Sequence, residues 1–190
     1  LGLERTAQAT IPGLLRVSTA LLKRLAECRP DPSRVSTAAD GLATYRQLRA
    51  GEAYVNCRGY AILARDFLRA AGIPCRRVSL LPQRCNPKQG MLVQLSEGHD
   101  VNEAWYDGAW HYLDLTYKVV YGGLDGESAR LSLLQLMFAL HDEKLRARVV
   151  LGVYEPGTGE VIERSMAASP ELRDALERYF TTDKTLVYTG

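Results

Sequence analysis

Apolar residues spaced three and four positions apart predict three helices in the first part of the chain. The first covers residues 12–27 and the second about residues 37–50, with Gly51 as its stop. The third helix is the best defined, because apolar side chains between positions 60 and 71 form one continuous stripe. Gly72 and Pro74 then provide a typical C-terminal signal, since glycine accepts the left-handed conformation that ends many helices.

After the third helix, the pattern changes to alternating apolar and polar positions, which indicates strands. These strands are predicted at residues 76–81, 91–95, 99–106, 109–117, 149–154 and 160–163. Two further helices are predicted, one near residues 128–141 and one starting near Ser169. Helices followed mainly by hairpin-connected strands indicate an α+β fold, and the 190 residues are expected to form a single domain, 1–190.

Composition and charge exclude several classes of protein. Hydrophobic residues make up 46% and charged residues 24%, as in ordinary globular domains, and no apolar run is long enough to span a bilayer. The formal net charge is only +2, whereas nucleic-acid binding needs a concentrated positive surface. We therefore expect a cytoplasmic protein without a nucleic-acid partner or a membrane segment, although Leu1 in place of Met suggests that the N-terminus was trimmed.

The cysteines and histidines are few. Four cysteines without a CxxC pair do not form a disulfide scaffold, and with three histidines they do not form a typical zinc site. No metal and no cofactor is expected. The chemistry must then come from individual side chains.

Cys57 stands where the third helix is predicted to begin, with Asn56 as a plausible N-cap. Unpaired backbone N–H groups and the helix dipole at this end favour the thiolate form of a cysteine. The same backbone N–H group of Cys57 is a candidate donor for an oxyanion. A free cysteine in this position is also compatible with a small, buried core residue.

The turn Asp107-Gly108 defines a hairpin between the third and fourth predicted strands. A two-residue turn at this position places Trp105 opposite Trp110, which predicts a cross-strand aromatic pair. The register of the whole hairpin follows from this pair.

Continued along the hairpin, the register puts His99 opposite Thr116 and Asp114 opposite Val101. His99 and Asp114 are then diagonal neighbours on one face, within reach for a carboxylate to orient an imidazole. His111 falls on the other face. The alternation therefore selects His99 over His111 as a partner for Asp114.

A thiol, a histidine and an aspartate form a nucleophile, a base and an orienting group. Cys57, His99 and Asp114 are the candidate catalytic residues on this ground. This reasoning does not by itself place Cys57 next to His99. A His–Asp pair across a hairpin is also compatible with a purely structural role.

Two segments of the sequence resemble the motifs of the transglutaminase-like superfamily. Residues 56–76 are similar to its cysteine motif, in which a Cys opens a helix that ends in an R-A-x-G-I-P-x-R phrase. Residues 99–114 are similar to H-x-W-N-E-V followed by D-G-x-W and a final Asp. The spacings from Cys57 to His99 and from His99 to Asp114, 42 and 15 positions, resemble those of bacterial members. The resemblance implies a papain-like arrangement, with the Cys57 helix packed on an antiparallel sheet, and it implies these three residues as the triad.

The sequence departs from the family pattern at two packing positions. Val101 replaces the usual Trp, and Cys75 replaces the usual Ala. The side chain that completes the oxyanion hole in relatives is not identified in this sequence, and Gln47, Tyr45 and Tyr54 are candidates.

The function implied by the resemblance is acyl transfer from an amide- or peptide-containing substrate through a thioester on Cys57. Water as acceptor gives an amidase or peptidase, which we favour, and an amine gives a transglutaminase. One alternative is an acetyl-type transferase with a thioester donor, although the Arg-Gly-Gly phrase expected before its Cys is replaced by residues 54–56. The other alternative is a binding module that retains the fold without catalysis.

Overall fold

The computed structural model describes residues 9–86, 91–94, 98–127, 130–180 and 184–189. The helices in this part of the sequence are α1 (Ile11–Ala26), α2 (Gly41–Ala50), α3 (Cys57–Ala70), α4 (Leu133–His141), α5 (Glu143–Arg146) and α6 (Pro170–Tyr179). The strands are β1 (Cys75–Asn86), β2 (Met91–Gln94), β3 (His99–Tyr106), β4 (Ala109–Leu113), β5 (Val119–Leu124), β6 (Val149–Glu155), β7 (Glu160–Ser165) and β8 (Lys184–Thr189). The predicted α+β class is confirmed.

The first three helices begin at polar capping residues. Thr10, Asp40 and Asn56 each accept a hydrogen bond from the backbone N–H three residues later, which satisfies one of the free donors of the first turn. The predicted start of α2 near residue 37 is wrong, because Asp40 caps the helix and its backbone is still extended. Gly51 ends α2 in the left-handed conformation, with φ of 72°, as predicted.

The first sheet is antiparallel and is arranged around β1. This strand pairs with β3 along residues 75–80 and with β8 along residues 77–82, so the two neighbours lie on opposite edges of β1. The distal end of β1 pairs with β2, and β4 follows on the outer edge of β3. β8 was not predicted, because its partner in the sheet precedes it by about one hundred residues.

The hairpin β3–β4 has the predicted register up to the end of β4. Trp105 pairs with Trp110, and their rings meet edge to face at 5.5 Å between centroids. The predicted continuation of this strand to residue 117 is wrong, because β4 ends at Leu113. A turn follows in which the N–H of Lys118 donates to the carbonyl of Leu115, and Lys118 has a φ of 58°.

The second sheet contains β5, β6 and β7, all antiparallel, and the predicted hairpin of residues 149–154 and 160–163 corresponds to β6–β7. The helix predicted near residues 128–141 begins at Leu133, since Ser132 and Gln135 form a reciprocal capping box there. Ser128 lies outside the described residues. The helix predicted to start near Ser169 begins at Pro170.

Both faces of the first sheet carry buried residues where the first half of β1 pairs with β3 and β4. One face carries Ala104 and Leu113 and packs on α1 and α3, with Leu14 and Leu63 in the same core. The other face carries Val101 and packs on α4, β6 and α6 in a second core. Among the helices that the structure describes, none is sufficiently long and apolar to cross a bilayer.

Candidate active site

Cys57 is the first residue of α3, and it is half-buried. Asn56 caps the helix by accepting the N–H of Gly59 at 3.3 Å. Gly59 is required by packing, since a Cβ atom there would lie 2.7 Å from Cβ of Val55. The backbone N–H of Cys57 belongs to the first turn, where donors have no acceptor within the helix. A thiol and a free N–H group thus lie side by side.

His99 and Asp114 are directly hydrogen-bonded. The Nε2 atom of His99 lies 2.6 Å from Oδ2 of Asp114, and both side chains are almost completely buried. The predicted pairing of these residues with Thr116 and Val101 is wrong, because β4 stops at Leu113. Asp114 instead forms an antiparallel bridge with Val119 at the start of β5. The pair is adjacent as predicted, but the backbone geometry that makes it adjacent differs.

Two further donors hold the Asp114 carboxylate. The backbone N–H of Thr116 donates to Oδ1 at 3.0 Å, and the hydroxyl of Tyr112 donates to Oδ2 at 3.3 Å. Burial and the neighbouring Asp114 charge raise the pKa of Tyr112 well above its usual value, so this residue stays a hydroxyl donor. These contacts therefore favour an oriented Asp114 carboxylate that accepts a hydrogen bond from Nε2–H of His99.

Cys57 lies against the other side of the imidazole. Burial opposes ionisation of its thiol, but hydrogen bonds from His99 and from the backbone N–H of Asp100, with the charge of His99, lower the pKa of Cys57 below the ordinary value. Because Nε2 of His99 faces Asp114, Nδ1 is the nitrogen available to the sulfur. The structure thus brings all three predicted residues together, in the order Cys57, His99, Asp114.

The pKa of His99 moves in the opposite direction. Burial alone would lower it, but the hydrogen bonds to Asp114 and Cys57 and their negative charges raise the pKa of His99 to about 9. A thiol with a lowered pKa beside an imidazole with a raised one favours the thiolate–imidazolium ion pair. In contrast, burial raises the pKa of Cys28, and it raises the pKa of the fully buried Cys75 to about 12.

Two tyrosines that sequence reasoning missed contact the imidazole. The ring of Tyr179 stacks on His99 at 4.6 Å between centroids, and the ring of Tyr117 lies at 5.4 Å in a tilted orientation. Tyr117 follows Asp114 by three positions, so its proximity to the motif was a usable signal. Tyr179 lies in α6, 80 positions after His99, and no local pattern indicates this contact.

Two of the three predicted candidates for a side-chain oxyanion donor make contacts elsewhere. Gln47 accepts a hydrogen bond from the hydroxyl of Ser36 at 2.7 Å, and the ring of Tyr45 packs on Phe67 in the core. Tyr54 pairs through its backbone with residues 34 and 36, and a role for its hydroxyl stays a prediction. The Cys57 N–H stays the candidate donor.

The other histidines lie away from the triad. Both ring nitrogens of His111 face backbone carbonyls, those of Tyr106 and Arg130, and the prediction that His111 lies apart from Asp114 is confirmed. His141 is exposed and donates to the carbonyl of Phe180. Among the described residues, no group of His, Cys, Asp and Glu is arranged to hold a metal ion.

Glu103 lies on the same face of β3 as His99, but its contacts are structural. One carboxylate oxygen accepts two hydrogen bonds from Arg76, at 2.9 and 2.6 Å, and the other accepts the N–H of Leu133 at 2.9 Å. These contacts connect the first sheet to the beginning of α4.

Comparison with known proteins gives one family. No curated protein matches the sequence. A crystal structure of a "putative cysteine protease from Cytophaga hutchinsonii" is similar at 19% sequence identity and a TM-score of 0.31, over 55% of this chain and only 30% of that one. The family model described as the transglutaminase-like superfamily matches residues 6–115, more than half of the 190 residues. This chain therefore belongs to the transglutaminase-like superfamily.

Proposed function

We propose that this protein is a thiol-dependent acyl-transfer enzyme that acts on an amide, with Cys57 as nucleophile, His99 as acid and base, and Asp114 as the orienting carboxylate. One observation carries the proposal. The half-buried Cys57 thiol at the start of α3 lies beside an imidazole whose other nitrogen is 2.6 Å from a buried carboxylate. This arrangement gives an activated nucleophile with its proton donor already oriented.

In the first half of the reaction, the Cys57 thiolate adds to the amide carbonyl carbon, and the carbonyl oxygen becomes an oxyanion. The free N–H of Cys57 is placed to donate to that oxyanion. The Nδ1–H of the His99 imidazolium then protonates the amide nitrogen, the C–N bond breaks, and the amine leaves. A thioester on Cys57 and a neutral imidazole are the products of this half-reaction.

In the second half, the neutral imidazole removes a proton from the acceptor as the acceptor attacks the thioester. The Cys57 thiolate leaves, and the ion pair is restored. Water is our proposed acceptor, since Cys57 is only half-buried and solvent can reach it. The enzyme is then an amidase or peptidase rather than an obligate transglutaminase.

The test is to incubate the protein with carboxybenzyl-glutaminyl-glycine and with a set of peptide p-nitroanilides, with and without cadaverine. Ammonia or nitroaniline should be released without the added amine, and rapid quenching should trap an acyl adduct on the peptide that contains Cys57. Cys57→Ala should abolish release and adduct, whereas Cys28→Ala, which removes a partly exposed thiol outside the site, should retain both. Strict dependence on cadaverine would show a transglutaminase, and release by Cys57→Ala would exclude the thioester.

A further inference from the structure

A cavity of about 690 Å³ lies beside the candidate active site. Its wall includes Tyr117, whose ring contacts the imidazole of His99, and Thr116, whose N–H binds Asp114. The opposite wall is formed by the end of β7 and the beginning of α6. The turn that carries Thr116 and Tyr117 therefore connects this cavity to His99 and Asp114.

Unpartnered polar atoms are concentrated at this cavity. Within the described part of the molecule, six buried side-chain N or O atoms have no hydrogen-bond partner, and three of them belong to residues that line it: Thr116 Oγ1, Arg164 Nε and Ser169 Oγ. Buried polar atoms are normally satisfied, so a cluster of exceptions indicates a place where a further molecule supplies the partner. All three atoms can donate, and Arg164 Nε can only donate.

Ser169 is the clearest of the three. It is 8% exposed and stands at the N-cap of α6, yet its hydroxyl makes no capping hydrogen bond. This hydroxyl is therefore free. In the first turn of α6 only the N–H groups of Glu171 and Leu172 lack an acceptor within the helix, because Pro170 has no N–H and the N–H of Arg173 donates to the carbonyl of Ser169. Hydroxyls and free N–H groups at the start of a helix of this length suit an anion.

The formal charges around the cavity cancel, since Lys118 and Arg164 are balanced by Glu155 and Glu171. Lys118 lines the cavity, is exposed and forms no ion pair with a described carboxylate. Its left-handed backbone is held in place, since the carbonyl of Lys118 accepts the N–H of Tyr154. The guanidinium of Arg164 is partly neutralised by Glu155, and Glu171 adds one exposed carboxylate in the first turn of α6. Any preference for an anion therefore comes from the unpartnered donors and from Lys118, which, unlike Arg164, makes no ion pair with a described carboxylate.

We propose that this cavity binds a carboxylate of the acyl donor, held by Lys118, the hydroxyls of Thr116 and Ser169 and the start of α6. The inference rests on the proposed function, because the cavity serves the reaction at Cys57. The substrate class is then a peptide or amide with a carboxylate close to the bond that is cleaved. That carboxylate is either the C-terminus of a peptide or an acidic side group.

The test uses affinity reagents that report binding without turnover. Bromoacetyl-glycine, bromoacetyl-diglycine and bromoacetyl-triglycine alkylate a thiolate with loss of bromide, and each added residue moves the carboxylate by about 3.5 Å. Each acid is compared with its neutral C-terminal amide, and bromoacetyl-glutamic acid α-amide is compared with its glutamine analogue. The first set reports a C-terminal carboxylate, and the last pair reports the carboxylate of an acidic residue. The measured quantity is the ratio of the Cys57 labelling rates of the acid and the neutral reagent.

For at least one length or for the glutamate reagent, the acid should label Cys57 about five-fold faster, and high salt should reduce this ratio. Lys118→Met keeps the length of the residue and should bring the ratio to about one. Lys144→Met, which removes an exposed charge on α5, should leave the ratio unchanged.

A ratio of one for every reagent in the native protein, or a ratio that survives both Lys118→Met and Ser169→Ala, would overturn the carboxylate site. Selectivity of the neutral reagents for Cys57 over Cys28 reports the activated thiol separately, and loss of that selectivity contradicts the proposed function rather than the site.

Discussion

At the scale of single residues, the site depends on opposite pKa shifts in two neighbours. The pKa of Cys57 is lowered although burial opposes this, and the pKa of His99 is raised to about 9 although burial opposes that too. Each shift stabilises the charged form of its group. The raised pKa of His99 depends on Asp114 and on Cys57, whereas the lowered pKa of Cys57 depends on His99 and on the backbone N–H of Asp100. The ion pair is therefore a property of three side chains and one backbone N–H, that of Asp100.

The pH dependence of labelling tests this coupling. At about pH 6, iodoacetamide should modify Cys57 well before Cys28 or Cys75, because only the thiolate reacts and, of these three, only Cys57 has a lowered pKa. Asp114→Asn removes the charge that stabilises the imidazolium, which weakens the support for the thiolate. The acid limb of the labelling profile of Cys57 should then move to higher pH. Mass spectrometry of the labelled peptides measures each rate.

The matched control is His141→Gln, since His141 is exposed and its ring hydrogen-bonds to the backbone carbonyl of Phe180 rather than to a residue of the triad. Its profile should coincide with that of the native protein. An unchanged acid limb in a folded Asp114→Asn variant would mean that Asp114 does not support the ion pair.

At the scale of elements, the ends of helices and strands position the chemistry more than their middles do. Asn56 sets the first residue of α3 and so the place of Cys57, and the early end of β4 allows Asp114 to turn toward His99. Two serines at helix starts differ in whether their hydroxyl caps the helix. Ser132 forms a complete capping box with Gln135, whereas the hydroxyl of Ser169 makes no capping bond.

The two serines should therefore respond differently to the same substitution. Ser132→Ala removes a hydrogen bond to the N–H of Gln135 and should lower the free energy of unfolding by about 1 kcal/mol. Ser169→Ala removes no capping bond and should cost less than about 0.5 kcal/mol. Urea unfolding followed by circular dichroism measures both values. Equal losses would contradict the free hydroxyl of Ser169 on which the carboxylate site depends.

At the scale of the whole molecule, the first sheet lies between two hydrophobic cores. The buried, charged residue Glu103 connects this sheet to helix α4 on one side of it. Glu103 is 2% exposed, and it joins Arg76 on β1 to the N–H of Leu133 at the start of α4. Arg76 is further fixed between the rings of Trp110 and Tyr188, at 4.2 and 4.3 Å from their centroids. This connection orients α4 against the sheet that carries His99.

Removal of the cation should destabilise the fold more than removal of both charges. Arg76→Met leaves the buried Glu103 carboxylate unpaired and should lower the free energy of unfolding by about 3 kcal/mol. The double variant Arg76→Met with Glu103→Gln should recover part of this loss, because the amide still accepts the N–H of Leu133 without a buried charge. Chemical denaturation of the two variants measures the difference.

Arg148 provides the control, since its ion pairs with Asp125 and Glu127 are exposed. Arg148→Met should change the free energy of unfolding by less than about 1 kcal/mol. If Arg76→Met lowered the free energy of unfolding as little as this control, the contacts of Glu103 would not stabilise the packing of α4 on the first sheet.

The sequence alone determined the features that depend on neighbours along the polypeptide. The Asn56 cap, the start of α3 at Cys57 and the hairpin register from Trp105 to Trp110 follow from local signals, because capping and two-residue turns involve residues only a few positions apart. The motifs around these elements also indicated the family to which the protein belongs. Even the choice of His99 over His111 followed from alternation in one hairpin.

Only the tertiary structure decided the contacts between residues that are distant in sequence. The stacking of Tyr179 on His99 joins positions 80 apart, and the position of β8 beside β1 is as remote. The end of β4 at Leu113 was also decided in this way, since Asp114 exchanges hydrogen bonds with Val119 instead of continuing along β3. Local periodicity cannot indicate such contacts, because their free energy comes from packing and pairing partners that the fold alone brings together.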